Sequence, residues 1–148
     1  METRIYLTNG ENDENNPWGG NHITIVGFHT KNINLISRLP PKKQLFDNKN
    51  NWRPSNNTPY WLEKIGGNWT ICFRSNVLNE MSEKLCRLGF HNIKGPIYDK
   101  NNFDWHITLK NYSKTQAITY TESLFKEKKP WYLTIAYKVN NKSVWVKI

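Results

Sequence analysis

The chain has 148 residues, 37% hydrophobic and 14% aromatic, and its 21 Lys and Arg against 12 Asp and Glu leave a formal charge of +9. That length suits one domain spanning residues 1–148, and the aromatic content excludes a disordered chain, because Trp, Tyr and Phe bury large areas each. No apolar run approaches the roughly 20 residues that cross a bilayer, and METRIYLTNGENDENN lacks the apolar segment of a signal peptide. A cytoplasmic protein with no membrane partner is therefore expected. Cys72 and Cys86 are too far apart for a CxxC pair and have no His cluster beside them. Reduced thiols are expected, with no disulfide and no structural metal. The positive charge points to a polyanionic ligand: nucleic acid, nucleotide or acidic lipid. The excess of Asn and Lys is also what an AT-rich genome encodes, so composition indicates a ligand class and no particular ligand.

In chain order, the first strand is expected at Arg4–Thr8, then a long loop at Asn9–Gly20 rich in turn residues, then a strand at His22–Phe28. A second Asn- and Pro-rich loop at Asp47–Pro59 precedes strands at Tyr60–Lys64 and Trp69–Arg74, joined by a turn at Gly66-Gly67. A helix is predicted over Asn76–Leu88. Ser75 caps it, Val77, Leu78, Met81, Leu85 and Leu88 share a face, and Gly89 ends it. A loop through Gly95-Pro96 leads to a strand at Phe103–Lys110. A weaker helix at Lys114–Lys128 stops before Pro130, and a hairpin of Trp131–Val139 and Ser143–Ile148 turns at Asn140-Asn141. The strands and helices interleave in two halves, each with a strand group and one helix. This is an α+β pattern with largely antiparallel pairing, and no internal sequence repeat accompanies it.

Two short segments carry chemistry. His22-Ile23-Thr24-Ile25 and His106-Ile107-Thr108-Leu109 both read His-x-Thr-apolar, and both lie in predicted strands. Side chains at i and i+2 of a strand share a face, so His22 projects with Thr24 while Ile23 and Ile25 project oppositely. In the second strand Phe103, Trp105, Ile107 and Leu109 form an apolar face, and Asp104, His106, Thr108 and Lys110 a polar one. Two imidazoles and two hydroxyls suit phosphodiester cleavage. A neutral His takes a proton from the attacking oxygen, a protonated one gives a proton to the leaving oxygen, and the Thr hydroxyls donate to non-bridging oxygens as charge grows there. No carboxylate cluster for a metal is evident and no cofactor is expected. The bland alternative is two partly buried histidines satisfied by polar neighbours. His29, after the first strand, and His91, after the helix stop, are expected in solvated loops.

The paired HITI and HITL segments resemble the two signature motifs of the 2H phosphoesterase superfamily. The resemblance implies a compact bilobal fold in which two antiparallel sheet lobes flank a central cleft, one motif strand in each lobe and the helices outside. It further implies that His22 and His106 are the catalytic acid/base pair and Thr24 and Thr108 the phosphate-holding hydroxyls. The family includes LigT-like cyclic phosphodiesterases, viral 2′,5′-oligoadenylate phosphodiesterases and phage enzymes that destroy cyclic oligonucleotide signals. The expected function is metal-independent cleavage of cyclic or 2′,5′-linked oligonucleotide second messengers, such as cyclic dinucleotides, to counter host immune signalling, in the host cytosol if the source is viral. Opening of 2′,3′-cyclic phosphates at RNA ends is the enzymatic alternative. A non-catalytic basic RNA- or nucleotide-binding module is the alternative from another class. The partner expected is a nucleotide or oligonucleotide substrate, with no stable DNA complex.

Aromatic and basic residues near the motifs are candidates for holding it. Trp18, in Pro17-Trp18-Gly19-Gly20 before the first motif strand, either stacks on a base or packs on the surface. Trp145 shares a face with Ser143 and Lys147, where it either flanks a base or covers the sheet. Tyr6, on the first strand, is a weaker candidate. Lys110 either contacts phosphate or is a solvated strand-end lysine. Trp69, Trp105 and Trp131 share strand parity with large apolar residues and are expected in the core.

Overall fold

A computed structural model describes residues 2–8, 21–29, 51–54, 57–90, 105–127, 131–138 and 145–147. Eight strands and two helices occur among them: β1 (Glu2–Thr8), β2 (His22–His29), β3 (Asn51–Trp52), β4 (Tyr60–Ile65), β5 (Asn68–Phe73), α1 (Asn76–Arg87), β6 (Trp105–Leu109), α2 (Lys114–Glu127), β7 (Trp131–Lys138) and β8 (Trp145–Lys147). The strands form two antiparallel sheets. One follows the order β2-β1-β7-β3, with β8 also paired to β7, and the other follows β4-β5-β6. The α+β class is thus as expected. The grouping by halves is not: β7 and β8 from the C-terminal part join β1 and β2, and β5 pairs with β6 from beyond α1. Element order along the chain does not encode which backbone edges meet.

Local chemistry accounts for the element ends. Gly66 and Gly67 have φ of 58° and 81° between the paired residues Ile65 and Asn68, the doubly positive φ of a two-residue hairpin that glycine adopts freely. The Ser75 hydroxyl accepts from the Leu78 N–H at 3.2 Å to start α1. At its other end the Phe90 N–H donates to Leu85 O and the Gly89 N–H to Cys86 O, each at 3.0 Å, with Gly89 at φ 94°. This is the Schellman stop. α2 begins on a reciprocal capping box, Gln116 N–H to Ser113 Oγ at 3.1 Å and Ser113 N–H to Gln116 Oε1 at 2.8 Å.

The helices cover one side of the strands. Leu78, Met81 and Leu85 of α1, and Ala117, Leu124 and Phe125 of α2, bury into one apolar cluster with Ile5, Leu7, Ile23 and Ile25 of the first sheet and Ile71, Phe73, Ile107 and Leu109 of the second. Trp105 and Trp131 are buried there and Trp69 packs at its margin. The Trp105 indole N–H donates to Asn79 Oδ1 of α1 at 2.8 Å, and Tyr60 of β4 stacks on Phe125 of α2 with centroids 4.4 Å apart.

Three expectations need correction. Val77 and Leu88 are exposed, 51% and 42%, because the buried arc of α1 runs through Leu78, Met81, Ser82 and Leu85 and leaves both outside it. The Asp47–Pro59 loop contains β3, whose Asn51 and Trp52 pair with Tyr132 and Trp131. Two residues are too few for a periodic signal, and pairing with β7 creates the strand. His29 ends β2 rather than following it. Gly95-Pro96, His91, Phe103, Asp104 and the Asn140-Asn141 turn lie outside the described residues.

Candidate active site

Among the described residues each motif strand is the edge of its sheet, β2 in the first and β6 in the second, and the two edges approach with Cα atoms within 8 Å. The Asn21 side-chain amide, one residue before His22, donates to the Tyr112 hydroxyl at 3.5 Å, which sets the start of β2 beside the end of β6. The strand parity read from the sequence holds on both sides. Ile23, Ile25, Ile107 and Leu109 are fully buried in the shared core, whereas His22, Thr24 and Thr108 are half-buried and His106 is exposed. Both His-x-Thr pairs therefore lie on the strand faces turned away from the core.

Register extends the first face. Thr24 stands opposite Tyr6, which stands opposite Thr134, and His22 stands opposite Thr8, which stands opposite Tyr132. The register of β1 against β2 shifts at a bulge between Ile5 and Tyr6, from Val26 to Thr24, and Ile25 and Val26 are buried in succession. Without it, the residues beyond Thr24 would change faces. Tyr6 is fully buried, and its ring meets that of His22 edge to face, centroids 5.9 Å apart. Burial pushes its phenol pKa up to about 12, so the hydroxyl stays protonated across the range in which imidazoles titrate. Tyr6 thus supports His22 from within the sheet and offers a substrate no surface.

The second face is different in kind. His106 stands opposite Cys72, which stands opposite Trp61; Thr108 stands opposite Thr70, which stands opposite Glu63. The Cys72 thiol donates to Glu63 Oε2 at 3.8 Å, and the Arg74 guanidinium lies over the Trp61 ring, 6.0 Å from its centroid. His106 is exposed, yet desolvation by the protein around it lowers its pKa from the ordinary 6.5. That desolvation favours the neutral form of the imidazole.

Among the other candidates, Lys110 is exposed one residue past β6. Trp145 opens β8 opposite Lys138, and since the His22 row meets β7 at Tyr132, the strand rise sets Trp145 roughly 20 Å along the sheet from His22. The fold does not bring it to the motif residues. Trp18 lies outside the described residues. Sequence reasoning missed Thr8, Trp61, Glu63, Thr70, Cys72, Arg74 and Thr134. The alternation of Thr70, Cys72 and Arg74 against Trp69, Ile71 and Phe73 was a visible signal, but not the partner strand.

Among the described residues no three His, Cys, Asp or Glu side chains gather into a metal-binding group, and no helix is long and apolar enough to cross a membrane. No protein-family model, curated protein or solved structure matches this chain.

Proposed function

We propose that the protein is a two-histidine, metal-independent phosphodiesterase of cyclic or 2′,5′-linked oligonucleotides, with the bilobal 2H arrangement that its motifs resemble. The observation that supports this best is the meeting of two edge strands from different sheets, each turning a His and a Thr away from a common core. A cleft lined in this way has a proton acceptor and a proton donor for one phosphorus centre. The neutral imidazole removes the proton of the attacking oxygen as its bond to phosphorus forms. The protonated imidazole delivers a proton to the leaving oxygen as that P–O bond breaks. Thr24 and Thr108 donate to the non-bridging oxygens, where negative charge accumulates in the transition state.

The lowered pKa of His106 favours it as the proton acceptor of the first step, leaving donation to His22. The charge of +9 draws polyanions toward the cleft. Cleaving signalling oligonucleotides in this way would silence a host immune response.

The test is mass spectrometry of products from cyclic dinucleotides, 2′,5′-oligoadenylate and RNA with a 2′,3′-cyclic phosphate end, with and without EDTA. Cleavage of either of the first two, unaffected by chelator, is the expected result. Cleavage of the RNA end alone moves the enzyme to end repair. Ligand binding without product would make it a binding module, and activity restored only by Mg²⁺ or Mn²⁺ would overturn the mechanism.

A further inference from the structure

The seam between the sheets uses the β6 edge of the second sheet, and β4 forms the other edge. β4 pairs with β5 in unbroken register from Tyr60 to Ile65, and among the described residues no strand pairs with its outer side. The hairpin fixes which backbone groups that side carries. Ile65 and Asn68 close the two-residue turn as a hydrogen-bonded pair, and the alternation of an antiparallel ladder makes Glu63 and Trp61 the next to bond β5. The Arg74 N–H donates to Pro59 O at 3.4 Å, which continues the same alternation. The N–H and C=O groups of Tyr60, Leu62 and Lys64 therefore point outward.

An apolar strip runs beside this edge. α2 crosses the core face of the second sheet antiparallel to β4. At its start the Lys114 ammonium lies 6.0 Å from the centroid of Trp69, which stands opposite Lys64, and near its finish Phe125 stacks on Tyr60. Ile118, seven residues before Phe125, shares its stripe of the helix and so flanks the middle of β4. Tyr60 and Ile118 are 42% and 40% exposed, and Leu62 is half-buried. An open backbone edge and an apolar strip along one line are what an added strand covers.

We infer that the added strand is β4 of a second copy, joined across a two-fold axis at Leu62 into one continuous sheet. With the axis there, Leu62 meets the second copy's Leu62, Tyr60 meets its Lys64 and Trp61 meets its Glu63. All three outward-pointing residues then find partners, and no like charges are opposed. An axis at Glu63 would set Glu63 against Glu63, and one at Trp61 would leave Lys64 beyond the partner strand. The helices also fit. The order β5-β4-β4-β5 sets the two β5 strands roughly 14 Å apart, and each α2 packs over its own β5, whereas packed helices need only about 8–10 Å. The joint lies at the edge away from β6, so it leaves the meeting of the motif strands untouched. It also puts His106 of both copies on one side of the sheet, roughly 25 Å apart.

A short strand pair covers less than a standard interface, so association is expected at about micromolar to millimolar concentration. Sedimentation equilibrium over that range, in about 0.3 M salt to screen the charge of +9, should show a concentration-dependent dimer. Ile118→Lys sets like charges across the strip without touching the ladder and should weaken the dimer about tenfold or more. Lys64→Pro removes an outward N–H, leaves the β4–β5 bonds in place and should abolish the dimer. Val77→Lys, at an exposed site on α1, which packs against β2, should change nothing. Register is read by oxidising Leu62→Cys in a Cys86→Ser background, which removes the exposed native thiol. Position 62 meets its copy within disulfide reach, whereas Ile65→Cys would stand roughly 20 Å from its own copy. A covalent dimer is expected from the first and not from the second. Should Lys64→Pro not fold, Ile118→Lys and the two cysteine variants decide the matter. A monomer at every concentration, a dimer indifferent to Ile118→Lys, an equal loss in Val77→Lys, or crosslinking at 65 instead of 62 overturns the inference. None of these measurements reads cleavage, so the dimer stands or falls independently of the phosphodiesterase.

Discussion

The two motif strands carry nearly the same four residues in unlike surroundings. β2 belongs to the five-stranded sheet, where His22 is half-buried, its ring set against the buried Tyr6, with the hydroxyl-bearing residues Thr8, Thr134 and Tyr132 in the neighbouring register. β6 edges a three-stranded sheet, where His106 is exposed and its neighbours across the strands are a thiol, an indole, a carboxylate and a guanidinium. A motif of identical form is thus placed once on a neutral, braced wall and once on an open, charged one. The proposed mechanism starts the two histidines in opposite protonation states, and unlike environments favour that. The asymmetry lies in the residues opposite the motifs, not in the motifs.

The largest effects should come from the histidines. His22→Ala and His106→Ala are each expected to lower turnover by about 10²–10⁴-fold, the usual contribution of a general acid or base, with circular dichroism unchanged. Activity within tenfold of wild type in either variant breaks the pairing of the two strands.

Next come the two faces of each strand. Thr24→Ala and Thr108→Ala should reduce kcat by up to about 10²–10³-fold, as loss of one transition-state donor does, with little change in a denaturant midpoint. Ile23→Ala and Ile107→Ala, one residue away in a fully buried layer, should instead cost about 2–5 kcal/mol of stability. If the Thr variants unfold as readily as the Ile variants, the hydroxyls are structural.

Smaller effects separate the two strands directly. The His106 imidazole should titrate below 6.5 by NMR, because crowding by the protein disfavours its charged form. The unfolded chain then binds more protons between that lowered value and 6.5, so this residue makes stability rise with pH across the window and adds no further change above it. His106→Gln should flatten that slope, and a midpoint at or above 6.5 would remove the reason for assigning His106 as proton acceptor. On the other strand, Tyr6→Phe keeps the ring edge against His22 and should leave turnover within about tenfold. Tyr6→Leu loses the aromatic contact, worth about 0.5–1.5 kcal/mol, and should lower turnover more than Tyr6→Phe does. Equal turnover in the two variants would show that Tyr6 only fills space.

Much of the fold was legible because its signals are local. Ser75, Gly89, the Gly66-Gly67 pair and the alternation in His106–Leu109 act within a few residues, and each has its expected consequence in the structure. The misreadings have a common origin. Val77 and Leu88 are apolar and helical yet exposed, and Asn51-Trp52 is a strand only because β7 offers it an edge. Burial and pairing depend on what packs against a segment, which no local pattern states.

The candidate site divides in the same way. The sequence alone determined that His22 projects with Thr24 and His106 with Thr108, because the two-residue period of an extended chain leaves no other choice. Only the tertiary structure decided that β2 and β6 are the strands that meet, that a bulge shifts the register of β1 against β2, and that Cys72, Trp61 and Arg74 share the face of His106. Those relations join residues far apart in the chain. They follow from hydrogen-bond register and a shared core, and both exist only once the sheets have closed on the helices.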